Sequence, residues 1–247
     1  MFVHGNGLHA HTLQPVAAHF TDRRCVGVDL RGFGHSDAPT TESFHWHTHG
    51  DDLHETLDAA GLIGAEVFGF SMGGASAVIA ELRHPHTFGR MVLYEPIIMP
   101  PPWDGETPAF DATLRRRFRF ESEAAAIERF GSKPPWSTVV PEALEAYVRW
   151  GTRPDPDGPG VVLRCDPRHE ANNYRAGGSH DTWDHLGAIE RSVLVLSGGE
   201  GGAAGFASGV AERIPGARHH RFPALAHFGP MQDPAGVAAV ARTHVGA

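Results

Sequence analysis

The chain reads as an α/β protein with a mainly parallel sheet covered by helices on both faces, and three observations carry that reading. Short apolar runs alternate with helical patterns along most of the 247 residues, and strands separated by helices need crossover connections and therefore pair in parallel. The run Ala65–Phe70 passes through Gly69-Phe70-Ser71-Met72-Gly73 straight into a helical stretch, Ala75–Leu82. A composition of 41% hydrophobic and 20% charged residues suits one large core at this length, with room for an insertion.

In chain order, Phe2-Val3 ends a first strand, Leu13–Phe20 reads as a helix and Arg24–Leu30 as a strand. Thr48–Ala60 forms a helix opened by Thr48 with Asp51 and Asp52 close behind, which suits the positive end of a helix. Ala65–Phe70 and Arg90–Glu95 are strands of the buried type, separated by the helix after Ser71. The rhythm breaks after Pro100 and resumes with strands at Ser192–Ser197 and Ala217–Phe222 and helices near Phe206–Arg213 and Asp233–His244.

The interruption is rich in Pro, Trp and Arg. It carries helical patterns over Asp111–Phe130 and Pro141–Trp150, a turn at Pro154-Asp155-Pro156-Asp157-Gly158, and a short strand at Val161–Cys165. A segment inserted between two strands of a parallel sheet lies over their carboxyl ends, where such sheets hold ligands. The expected organisation is a core of residues 1–98 and 190–247 with a cap of residues 99–189.

A formal net charge of −8 supplies no field that would gather nucleic acid or anionic lipid. Arg115, Arg116, Arg117 and Arg119 are a local exception, read either as a solvated helix face or as a receptor for a substrate carboxylate. The two cysteines, Cys25 and Cys165, lack the spacing of a zinc ribbon or a disulfide framework. With neither a basic, apolar leader nor an unbroken run of about eighteen apolar residues, the expected location is cytoplasmic.

Ser71 is the first chemical candidate. A serine on a sharp strand-to-helix turn needs small residues two positions to either side, so that neighbouring backbones can approach, and Gly69 and Gly73 supply them. Two other clusters are weaker. His45, His47, His49, Asp51, Asp52 and His54 straddle a loop and a helix start rather than converging as metal ligands. The glycines from Gly198 to Gly205 lack the Lys and Ser/Thr that complete a phosphate-binding loop. Trp103, Trp136 and Trp183 either line an apolar pocket or pack the insertion.

Four motifs, in this order, resemble the α/β-hydrolases with a mostly helical cap: His4-Gly5-Asn6-Gly7, Asp29-Leu30-Arg31-Gly32-Phe33-Gly34-His35-Ser36, the turn at Ser71, and Ala226-His227-Phe228-Gly229-Pro230. The resemblance implies that His227 is the base for Ser71, and that the backbone amides of Met72 and Asn6 form the oxyanion hole. Such enzymes usually carry their acid after the strand that follows the cap. This chain has Glu200 there, and Gly201 at the expected acid position. Glu95, at the end of the strand beside the Ser71 strand, matches the alternative position used by haloalkane dehalogenases and a zearalenone lactonase. Glu95 is the preferred acid and Glu200 the alternative. Dehalogenation is disfavoured because it needs an aspartate nucleophile where this chain has Ser71.

Relative to the family, the chain starts almost inside the strand before His4, so the N-terminal strand hairpin is expected to be missing. The Val26–Leu30 strand would then form a sheet edge that a second copy could cover, giving a homodimer. The expected activity is hydrolysis of a carboxylic ester or lactone, a small-molecule substrate, with no metal and no organic cofactor. Carbon–carbon bond hydrolysis of a diketone, and a catalytically slow ligand-binding protein, are the alternatives.

Overall fold

In a computed structural model of the chain, which describes residues 1–38, 45–102, 108–199 and 202–246, the apolar runs pair side by side. Among these residues the strands are β1 (Phe2–Val3), β2 (Gly27–Val28), β3 (Ala65–Phe70), β4 (Phe88–Tyr94), β5 (Arg119–Phe120), β6 (Thr152–Pro154), β7 (Val161–Leu163), β8 (Ser192–Ser197) and β9 (Arg218–Arg221). The α-helices are α1 (Gln14–Ala17), α2 (Trp46–Ala59), α3 (Met72–Arg83), α4 (Pro108–Leu114), α5 (Glu123–Gly131), α6 (Pro141–Gly151), α7 (Pro167–Ala176), α8 (Thr182–His185), α9 (Ala204–Arg213), α10 (Gly229–Gln232) and α11 (Pro234–Val245).

Six strands form one sheet in the order β2-β1-β3-β4-β8-β9, and every neighbouring pair is parallel. Its central strands are apolar at successive positions because both faces are covered. Side chains alternate between faces with period two. Met91, Leu93, Val193 and Val195 join a cluster with Leu53, Leu57, Val78, Ile79 and Val210, from α2, α3 and α9. Val92, Tyr94, Leu194 and Leu196 join the opposite cluster with Val16 of α1 and Val237 and Ala241 of α11. That second cluster runs on without a break into Phe130, Trp136, Tyr147 and Leu163 of the inserted segment.

Several elements are shorter than the sequence pattern predicts. Only Gly27 and Val28 of the Arg24–Leu30 run pair with β1. The ladder stops where Asp29 turns its carboxylate to the backbone N–H groups of Ala10 and His35, at 2.7 and 2.9 Å. The strand does take the expected place at the sheet edge. The Leu13–Phe20 helix is instead a 3₁₀ turn over Ala10–Leu13 followed by the single turn of α1, with Pro15 near its start.

The chain leaves β4 at the carboxyl edge of the sheet and, because β8 runs parallel to β4 with Ser192 opposite Arg90, crosses back to enter β8 at the amino edge. Asp111–Phe130 is not one helix. Residue Ser122 interrupts it by accepting the Ala125 N–H at 3.1 Å, as the N-cap of α5. Just before that cap, Arg119 is held by Asp155 and Asp157 of the Pro/Asp turn. This tie draws β5 against β7, giving an antiparallel sheet in the order β5-β7-β6. Among the described residues no helix is long and apolar enough to cross a membrane.

Candidate active site

Ser71 joins β3 to α3 with φ +56° and ψ −119°, a backbone state that residues other than glycine rarely adopt. Its N–H donates to the Tyr94 carbonyl at 2.9 Å. The flanking glycines are steric necessities. A Cβ on Gly69 would lie 2.7 Å from the Gly74 Cα, and one on Gly73 would collide with the carbonyl oxygens of Val3 and His4. Close approach also brings in the loop after β1, since a Cβ on Gly5 would lie 3.1 Å from the Ser71 Cβ. Asn6 follows Gly5 on this loop. Met72 opens α3, so its N–H has no intrahelical acceptor.

His227 lies on the loop between β9 and α10. Its Nε2 is 3.0 Å from the Ser71 Oγ, and its Nδ1 is 2.5 Å from the Glu95 Oε2. Residue Glu95 directly follows β4, with φ +44° and 1% exposure. Its second oxygen accepts the Gly198 N–H at 2.7 Å. A serine, an imidazole and a buried carboxylate thus form one hydrogen-bonded chain across residues 71, 227 and 95. In such a chain the carboxylate fixes the Nδ1–H tautomer and leaves Nε2 free to accept a proton from the hydroxyl.

Other residues hold this arrangement, and two of them, Tyr94 and Gln232, were not singled out from the sequence. The Tyr94 hydroxyl donates to the Ala226 carbonyl at 2.9 Å, just before His227. Burial pushes this phenol well above its usual range, so it stays a donor. A Cβ on Gly229 would overlap the same hydroxyl. Gln232 accepts the Ala226 N–H with Oε1 and donates from Nε2 to the Thr138 hydroxyl of the inserted segment, both at 2.8 Å. A Cβ on Gly198 would sit 2.6 Å from the Leu225 carbonyl, so the loop after β8 packs directly on the His227 loop. The sequence offered one signal for Tyr94, its place beside Glu95; nothing in it marked Gln232.

A cavity of about 750 Å³ opens over Ser71. Phe70, Phe120, Phe130, Trp136 and Phe228 give it aromatic walls. Arg116 enters it in a two-pronged pair with Glu170, and the Asn6 side chain donates to the Glu170 carbonyl at 3.0 Å. Burial pushes the Glu170 carboxyl above the usual carboxylate range, while Arg116 and the Thr113 hydroxyl pull it back. The arginine cluster is therefore divided. Arg119 is spent on the Pro/Asp turn and Arg116 on Glu170, while Arg115 and Arg117 line the cavity from exposed positions.

Of the three tryptophans, Trp136 lines the cavity and stacks on Tyr147 with ring centroids 4.1 Å apart. Trp183 does not line it, which corrects the pocket reading for that residue. Its ring packs on α9, where Gly209 makes room and the Arg213 guanidinium lies 4.5 Å from the ring centre. Trp103 and the alternative acid Glu200 lie outside the described residues. The histidines of the 45–54 run diverge on α2. Residue His49 turns inward to the Asn173 side chain at 2.8 Å, His47 turns to Asp181 at 3.3 Å, and His54 stacks on His84. His4 is structural: its Nε2 accepts the Leu30 N–H at 3.0 Å, and burial pushes its pKa down to about 4.

Comparison with known proteins agrees with this architecture. The chain is 44% identical over 61 residues to the AB hydrolase superfamily protein YisY of Bacillus subtilis (strain 168), a match spanning 25% of this chain and 22% of that protein. It is 25% identical over 244 residues to 2-hydroxymuconate semialdehyde hydrolase of Pseudomonas putida, covering 92% of this chain and 80% of the relative. Among solved structures, E-2-(acetamidomethylene)succinate hydrolase superposes with a TM-score of 0.81 at 22% identity, over 100% of this chain and 90% of that one. A family model described as alpha/beta hydrolase fold matches residues 1–234, and the chain belongs to that family.

Proposed function

We propose that the protein is a serine hydrolase that cleaves a carboxylic ester or lactone through an acyl-enzyme. The observation that carries this reading is the hydrogen-bonded chain from the Ser71 Oγ through His227 to the buried Glu95, on the floor of the cavity. The Ser71 Oγ attacks the scissile carbonyl while its proton passes to the His227 Nε2. The carbonyl electron pair becomes an oxyanion held by the backbone amides of Met72 and Asn6. When the oxyanion collapses, the bond to the alkoxy oxygen breaks and that oxygen takes the proton from Nε2. Water then repeats the sequence on the acyl-enzyme: His227 takes its proton, its oxygen joins the carbonyl carbon, and Ser71 leaves with the proton restored. Glu95 stabilises the imidazolium in both halves. No step calls for a metal or an organic cofactor. The segment 99–189 serves as the cap that bounds the substrate, with Trp136 in its wall.

Reaction with a fluorophosphonate probe tests the reading. The wild type should label covalently and turn over short-chain esters, and Ser71→Ala should do neither. A folded wild type that resists the probe would favour a ligand-binding role instead. Hydrolysis of a carbon–carbon bond in a diketone is a second reading, because the same residues can serve it and the Pseudomonas putida relative is named 2-hydroxymuconate semialdehyde hydrolase. Product analysis with matched ester and diketone panels separates the two.

A further inference from the structure

The cavity above Ser71 is lined by cations in a chain whose formal net charge is −8. Arg115 and Arg117 follow α4, Arg129 lies in the last turn of α5, and Lys133 follows α5. Among the described residues none of these four has a carboxylate partner. Arg117 spends its Nε on the Arg119 carbonyl and stands 5.3 Å from the Phe120 ring centre. The one carboxylate among the described lining residues, Glu170, is already engaged by Arg116. Deeper in, the Arg116 Nε–H is a buried donor without an acceptor, since Glu170 occupies only the two terminal nitrogens.

The lining therefore holds a positive excess that no described protein group neutralises. A solvated helix face would scatter such charges outward. Here two separate stretches of the inserted segment bring these four exposed residues to line one concavity, whose aromatic walls strengthen the field at its mouth. Meanwhile the floor at Ser71 is 7% exposed and the walls are Phe130, Trp136 and Phe228, so the two ends of the cavity ask for different chemistry.

We infer that the substrate carries a carboxylate separate from the bond that is cleaved, with its apolar body against Phe130 and Trp136 and its charge held among Arg115, Arg117, Arg129 and Lys133. This inference rests on the hydrolase reading and narrows its substrate class to monoesters of dicarboxylic acids and their lactone equivalents. The carboxylate takes no part in bond making. It raises productive binding and encounter, so the preference resides mainly in kcat/KM.

The test compares two p-nitrophenyl esters of equal chain length, one ending in a free carboxylate and the other in the corresponding primary amide. At low salt the carboxylate ester should have a kcat/KM about ten- to hundredfold higher. That ratio should shrink as salt is raised toward about 1 M, where the screening length falls to about 3 Å. It should also approach one in an Arg115→Gln, Arg117→Gln, Arg129→Gln, Lys133→Gln variant. Because the ratio is internal to each protein sample, partial unfolding of the variant does not imitate the effect, and the salt series on the wild type stands alone if the variant fails to fold. Equal rates for the two esters, a faster amide, or a carboxylate preference that survives both salt and substitution would overturn the inference while leaving ester hydrolysis intact. Turnover of neither ester would remove the ester-hydrolase reading, and this inference with it.

Discussion

Glu95 occupies a backbone state that costs on the order of 1 kcal/mol or more for a residue with a Cβ, and the structure holds it there from both sides. Its N–H donates to the Leu196 carbonyl at 2.9 Å, and its carboxylate receives both Gly198 and His227. Replacing Glu95 by Gln keeps the shape but exchanges an acceptor for a donor opposite Nδ1, which selects the wrong imidazole tautomer. We expect kcat to fall by about 10²- to 10⁴-fold in steady-state ester hydrolysis, with Glu200→Gln close to wild type. The reverse pattern would transfer the acid to Glu200. Tyr94→Phe leaves the Ala226 carbonyl without its donor. It should cost about 1 kcal/mol in urea unfolding and lower kcat more than it changes KM, because the loop that aims His227 loses a tether. Unchanged kinetics would make that hydrogen bond merely structural.

At the scale of elements, the turn at Ser71 is where steric demands are sharpest. Gly73→Ala would press a methyl group against two carbonyl oxygens and should destabilise the protein by about 3 kcal/mol or more. Gly205→Ala, in the first turn of α9 with nothing within 4 Å of the added carbon, should be neutral or stabilise by up to about 1 kcal/mol. Urea midpoints of the two variants should move in opposite directions or differ by most of that span. The same contrast explains what the sequence revealed. β3 and β8 were legible to the residue, because strands buried on both faces carry continuous stretches without charge, 67–70 and 193–196, bounded by small or polar residues. Ser71, His227 and Glu95 could be singled out because each stands at a strand end or in a motif with its own steric signature, and in the structure they meet. The inserted segment was legible only in part. Its helices show the expected periodicity, but the strand at Arg119–Phe120 lies beside the Pro/Asp turn through Arg119 reaching acids more than thirty residues away, which no local pattern records. The misplacement of Trp183 has a similar cause, since the room it fills is made by Gly209 on a helix distant in sequence.

For the whole molecule, the buried histidines set a limit on acid tolerance. Burial pushes His4, His9 and His180 each down to about 4, against about 6.5 when solvated. Between those values the unfolded chain binds protons that the folded one refuses, so stability rises with pH across that window. The contribution is fully present above about pH 6.5 and is lost as pH falls toward 4, with each such histidine contributing a slope of up to about 1.4 kcal/mol per pH unit. Urea midpoints measured at pH 7, 5.5 and 4.5 should decline monotonically, and a flat profile would mean that these side chains are charged in the native state.

The bridge from Ala226 through Gln232 to Thr138 joins the loop that carries His227 to the inserted segment beside the cavity. A shift of that segment would pull on the turn that carries the imidazole, so the wall of the chamber and the placement of His227 are mechanically joined.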